Sequence, residues 1–162
     1  MTTHEPQHSD SEDVTTKTTD IQRDMYRLLA AIFASEHFPH EPDDTEDPLG
    51  LAQLASQFED DEIRRLLGTI AAAVQPTLIG DTGIANFPCG LLTEASVMRH
   101  LTVREACDKA VHAKTIVTDV ELDGRRAVRR LPIMLLEGVA PNGEGWTARL
   151  ELVPLARLLA GL

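Results

Sequence analysis

The chain has 162 residues, a net charge of −11 and 43% hydrophobic residues, of which few are aromatic. That length allows one domain with a real core and leaves too little for two, and the charge excludes general affinity for nucleic acid or an anionic membrane. The apolar runs LLAAIFA and IAAAV are too short to span a bilayer, and no charged start leads into an apolar stretch, so the expected location is the cytoplasm.

The charge is uneven. Residues 1–62 hold 16 acids and 3 bases, whereas residues 63–162 hold 10 acids and 12 bases. The acidic part keeps the protein soluble or attracts a basic partner, and the remainder tolerates a polyanion locally. Cys89 and Cys107 form no Cys-x-x-Cys pair and read as two reduced thiols.

Residues 1–19 are polar and read as a disordered acidic tail, because they cannot bury enough apolar surface to offset the entropy of ordering. A first helix is expected from Asp20, capped by Thr19 or Asp20, with Ile21, Met25, Leu28, Leu29, Ile32 and Phe33 at helical spacing. The proline- and acid-rich PHEPDDTEDPLG then breaks the chain. A short helix after Asp47–Pro48 shows Leu49, Leu51, Leu54 and Phe58. A separate one follows, capped by Asp60 or Asp61, with Ile63, Leu66, Leu67, Ile70 and Val74 as its stripe. QPTLIGDTGIANFPCG reads as a long loop, and LLTEASVMRH is divided between strand ends and a helical turn.

Thr102-Val103-Arg104-Glu105 is a capping box, so a helix is expected over about 103–113. The spacing then changes to period two. Ile116, Thr118, Val120 and Leu122 share one strand face, Asp123–Gly124 signals a hairpin, and RLPIMLLEG returns with Pro132 confined to an edge or a strand start. WTARLELV alternates as a third strand, and PLARLLAGL closes as a short helix. The expected fold is α+β: residues 20–162 as one domain, with N-terminal helices packed on a three-stranded antiparallel meander.

The stretch of most functional interest is the helix near residue 107. Val103, Ala106, Cys107, Ala110 and Val111 cluster on one side, and Arg104, Asp108 and His112 lie four apart along the polar edge. CDKAVHA in this helix is similar to the RNKxxHx motif of the HEPN (higher eukaryotes and prokaryotes nucleotide-binding) superfamily. Lys109 and His112 fit that pattern; Cys107 stands where it has arginine, and Asp108 where it has asparagine. The resemblance covers about seven residues. It implies a helical domain of prokaryotic defence or toxin–antitoxin systems, acting on RNA without metal, usually as a dimer. The helix also resembles a REACxKxxHA helix that precedes a strand pair in bacterial proteins, and that likeness implies no function.

On this basis His112 is the candidate general base and Arg104 the candidate cation for charge developing on phosphate. Asp108 and Lys109 are candidate binding residues. Asp108 would also neutralise Arg104 through an i,i+4 pair and repel a phosphate. The structural alternative is a surface Arg104–Asp108 pair, a helix-ending His112 that favours the terminal carbonyls, and a core Cys107. RRAVRR provides Arg125, Arg126, Arg129 and Arg130 as a basic patch for an acidic partner or phosphate, without the interleaved aromatics that stack bases. His37 and His40 lie in an acidic connector and do not read as a metal site, and no cofactor is expected. The leading expectation is a non-catalytic interaction or accessory module with a protein partner or a second copy of itself. A metal-independent endoribonuclease using His112 and Arg104 is the alternative.

Overall fold

A computed structural model describes residues 10–34, 51–123 and 126–161. The long helices α1 (Asp10–Ala34) and α2 (Leu51–Val74) lead into a 3-10 turn (Gln75–Ile79) and the short α3 (Thr82–Ala85). A hairpin follows, β1 (Pro88–Glu94) and β2 (Val97–Thr102). Then come α4 (Val103–His112), β3 (Thr115–Asp123), β4 (Arg126–Val139), β5 (Gly145–Glu151) and α5 (Leu152–Leu159). The class is α+β, as the hydrophobic periodicity implies.

The sheet has five strands in the order β2-β1-β5-β4-β3, with every pairing antiparallel. The expected β3-β4-β5 meander is present, and the β1–β2 hairpin, hidden in LLTEASVMRH, joins it through β5. The connection escapes sequence reading because its two turn residues are Ala95 and Ser96, at φ 48° and 65°. Both sit in the left-handed region that two-residue hairpin turns require and that Asn-Gly or Asp-Gly usually supply.

Helix boundaries also differ from expectation. α1 starts at Asp10, so Thr19 and Asp20 lie inside it and not at its cap; residues 1–9 lie outside the described residues. Elongation past a formed turn gains one hydrogen bond per residue fixed, so a helix with a buried C-terminal half can carry polar turns ahead of it. The two expected helices around residue 60 are one, since no proline or glycine breaks the run there, and Glu59 and Asp60 serve as counter-ions rather than caps. Both approach Arg130 of β4, at 3.5 and 2.9 Å. The proposed start at Asp47–Pro48 lies outside the described residues.

Register decides the core. Leu92 faces Ala148, Ala148 faces Leu136, and Leu136 faces Ile116, forming an apolar row across four strands. This face carries Met134, Trp146, Leu150 and Leu101 as well, all buried. Helices cover it with Ile21, Met25, Leu28 and Ile32 from α1, with Ile63, Leu66, Leu67, Ile70 and Val74 from α2, and with Leu155 and Leu159 from α5. Phe33, Leu54 and Phe58, expected on apolar stripes, are exposed instead. Two glycines permit the closest approaches. A Cβ on Gly90 would sit 2.0 Å from the Arg149 carbonyl oxygen, and one on Gly138 would sit 2.2 Å from the Trp146 ring. Pro132 sits inside β4, where the pairing with β3 shifts register between Met134 and Arg130, the kind of irregular position that tolerates a missing N–H.

The opposite sheet face turns Leu91, Thr93, Val117, Leu135, Thr147 and Arg149 outward, and no described helix packs over it. α4 links the outermost strands β2 and β3, so it must cross the whole covered face.

Because Ala95 and Ser96 hold left-handed conformations at some cost, Ala95→Asn combined with Ser96→Gly should stabilise the protein by about 1 kcal/mol. The expected readout is a melting temperature higher by ~2–4 °C. An unchanged or lower midpoint would contradict the turn geometry.

Candidate functional site

α4 follows its capping box as read. The Thr102 hydroxyl accepts from the Glu105 amide, and the Glu105 carboxylate accepts from the Thr102 amide at 3.1 Å and its hydroxyl at 2.8 Å. Val103, Ala106, Cys107 and Ala110 are buried against the sheet and α2. Val111, grouped with them by spacing, is exposed. The small inward face brings α4 close to the sheet, and its polar edge then borders a cleft.

The cleft has a volume of about 520 Å³. The 3-10 turn contributes Gln75, Leu78 and Ile79; the β1–β2 hairpin contributes Glu94 and Arg99; α4 contributes Arg104, Glu105, Asp108 and Lys109. Three acids thus face three bases. Glu94 accepts from Lys109 Nζ at 2.7 Å and from Arg99 at 3.1 Å, and Arg99 also pairs with Glu105 at 2.6 Å. Lys109 is the most enclosed of these, with its side chain 12% exposed and its ammonium 4.5 Å from the centroid of the Trp146 ring. Its stem and charge therefore tie α4 to β1 and β5 through one ion pair and one cation–π contact.

This chain of charges alters the carboxylates. The Lys109 hydrogen bond holds Glu94 below its ordinary range, with Arg99 adding to it. At Glu105, burial opposes ionisation, yet the Thr102 hydrogen bonds and Arg99 outweigh it and the net shift is downward.

Arg104 and His112 take separate partners. Arg104 lines the cleft, where Nη2 donates to the Leu78 carbonyl at 2.8 Å. It does not form the expected ion pair with Asp108. His112 lies outside the cleft lining at the exposed end of α4, with Nδ1 2.8 Å from the Asp108 carbonyl and 3.3 Å from its carboxylate. Asp108 and Lys109 do line the cleft.

The basic patch is divided as well. Arg125 lies outside the described residues, and the side chain of Arg126 is not described. Arg129 pairs with Glu121 across the hairpin. Arg130 is 5% exposed and turned toward α2, so it fastens a helix to the sheet and is not displayed to a partner.

Glu94 and Arg99 were missed by sequence reading. Their signal is visible only after the hairpin is recognised: both then fall on the same face as Leu92 and Leu101, and a charge of each sign on a covered face marks a pair. Among the described residues, no cluster of three or more His, Cys, Asp or Glu could hold a metal ion. No described helix is long and apolar enough to cross a membrane. Comparison with protein-family models, curated proteins and solved structures gives no match.

Two outcomes are expected from these environments. A carboxylate with a depressed folded pKa stabilises fully above the ordinary carboxylate range, and that contribution is lost as pH falls through the folded value. Thermal melts should therefore show a steepening loss of stability on acidification below that range, flattened in Glu94→Gln; an equal slope in both proteins would show the network to be energetically silent. Burial pushes the Cys89 thiol up to about 12 and the Cys107 thiol up to about 11. An aromatic disulfide reagent should therefore react with neither thiol in the folded protein at neutral pH and with both after unfolding.

Proposed function

We propose that this protein is a non-catalytic interaction or accessory module, and that its specificity resides in the cleft between α4, the β1–β2 hairpin and the 3-10 turn. One observation carries the reading: the enclosed ionisable groups of the cleft are paired with one another. Glu94, Glu105, Arg99 and Lys109 form a continuous chain of ion pairs. Acid–base catalysis needs a group near neutral pKa within reach of a reacting atom. Here the shifted carboxylates move away from neutrality, the thiols are buried and protonated, and the histidine of the helix lies outside the cleft. A fully paired polar network instead fixes shape, which suits recognition.

The alternative reading is a metal-independent endoribonuclease using His112 and Arg104. It draws on the helix resemblance and on the exposure of His112. Its difficulty is electrostatic: the Asp108 carboxylate, at 3.3 Å from the imidazole, would repel a scissile phosphate. The resemblance also suggests a prokaryotic defence or toxin–antitoxin setting, and an accessory module that binds a protein partner is compatible with it.

The test is RNA cleavage by purified full-length protein in the presence of a chelator, with His112→Ala and Arg104→Ala alongside. The module reading expects all three to match the buffer background. Cleavage by the wild type that disappears in His112→Ala, at an unchanged melting temperature, would establish the nuclease reading in its place.

A further inference from the structure

We propose that the outer edge of β2 receives an extended strand from a protein partner, and that an acidic side chain of this strand reaches Arg104 in the cleft. The proposal rests on the interaction-module reading and names the partner's chemistry.

β2 is the outermost strand, paired only with β1. Its two-residue turn is closed by the Glu94↔Val97 pair, and antiparallel pairs alternate between hydrogen-bonded and non-bonded. Counting from the turn, Met98 and His100 face Thr93 and Leu91 in non-bonded pairs. Their N–H and C=O groups therefore point away from β1, into solvent. The His100 carbonyl is reached only by the Arg99 guanidinium, at 3.4 Å. Val97 and Met98 are 63% and 67% exposed, so the turn end of β2 is an apolar edge without proline, followed by the exposed Arg99 and His100.

The opposite edge is managed differently. In β3 the Ile116 carbonyl accepts from Arg64 of α2 at 3.4 Å, and the strand shifts register at Thr118/Val120 and again at Glu121/Leu122. Charged and irregular edges of this kind discourage strand addition; on β2 Arg99 caps only the His100 carbonyl and the register shift lies at the far end of the ladder, between Pro88 and Gly90, so the outward groups of Met98 are left uncapped.

The edge adjoins the cleft. Arg99 belongs to β2 and lines the cleft, so it marks the side of the strand that faces this space. A strand laid beside β2 turns every second side chain to that side. There it meets Arg104, whose hydrogen-bond acceptor is a neutral carbonyl, whereas Arg99 and Lys109 are each matched by carboxylates. A single carboxylate is the group that pairs with the arginine, and it enters beside Asp108, which lines the same cleft and whose carboxylate lies 3.3 Å from His112 Nδ1. Ile79, highly exposed on the cleft wall, offers aliphatic surface to a neighbouring side chain. Antiparallel pairing of two β2 strands about Arg99 sets like charges opposite each other, whereas pairing about Met98 sets Arg99 opposite Val97, so self-association is an outcome the experiment must read. Main-chain bonds along an edge with side-chain selection at alternate positions is the general mode of strand addition.

The experiment titrates full-length protein into a short fluorescent peptide alternating valine and glutamate. Three companion probes are used: one with glutamine in place of glutamate, one with lysine, and one with methylated alternate backbone amides. Binding of the glutamate peptide is expected to weaken about tenfold or more with the glutamine probe or in Arg104→Gln, and to vanish with the methylated probe. Met98→Pro removes an outward N–H while sparing the β1 ladder, and should weaken binding about three- to tenfold. Equal binding of the methylated probe, or of the glutamine and glutamate probes, would overturn the proposal. So would absence of binding, or self-association of the protein that Met98→Pro abolishes, which would make a second copy the occupant. The RNA assay reads the module proposal independently, so the two can fail separately.

Discussion

The close approach of α4 to the sheet is the constraint on which the rest depends. A ten-residue helix must carry the chain from one outer strand to the other across the covered face. It can do so only if its inward side is small. Val103, Ala106, Cys107 and Ala110 meet that condition, and all four are buried. Bulkier residues would lift α4, open the core beneath it and separate Lys109 from Trp146 and Glu94. The cleft is therefore a by-product of packing: it forms where the polar edge of a closely seated helix overhangs the hairpin.

Charge performs two kinds of work in this molecule. At the cleft, Lys109, Glu94, Arg99 and Glu105 join α4 to β1 and β2 in one connected network, and neighbouring pairs share side chains already held in place. At Arg130, a nearly buried guanidinium draws Glu59 and Asp60 from α2 onto β4. Its approach to Asp60 is an ion pair and not an aligned hydrogen bond, since Nη1 has no hydrogen-bond partner. Such contacts contribute more to fixing which surfaces meet than to net stability, because desolvation offsets much of the attraction. Arg104 differs from both groups: it is anchored by a carbonyl, and its charge has no carboxylate partner among the described residues.

Among the described residues, the sheet has one face and one edge that no other element covers. The face mixes Leu91, Leu135 and Val117 with Thr93, Thr147 and the Arg149–Glu151 pair, a pattern that an antiparallel sheet can expose to water. The edge is more specific, because it combines unpaired main-chain groups with an adjoining polar cleft.

Local rules determined much of this protein from sequence alone. The capping box placed α4, period-two spacing placed the strands of the meander, and helical spacing identified Ile21, Met25, Leu28 and Ile32 as core. These features depend on neighbours within a few residues. The β1–β2 hairpin did not follow, because Ala95 and Ser96 adopt left-handed backbone that nothing in their chemistry favours; pairing of the flanking strands imposes it. α2 runs through Asp60 because no proline or glycine interrupts it there, and the contacts of Glu59 and Asp60 with Arg130, 70 positions beyond Asp60, are visible only in the folded chain. Arg104 illustrates the same division. Its spacing from Asp108 predicted a helix-surface pair, but a carbonyl at Leu78, brought alongside only by the folded chain, took the guanidinium instead. Contacts between distant segments depend on distances that no local pattern encodes, and the cleft is made of such contacts.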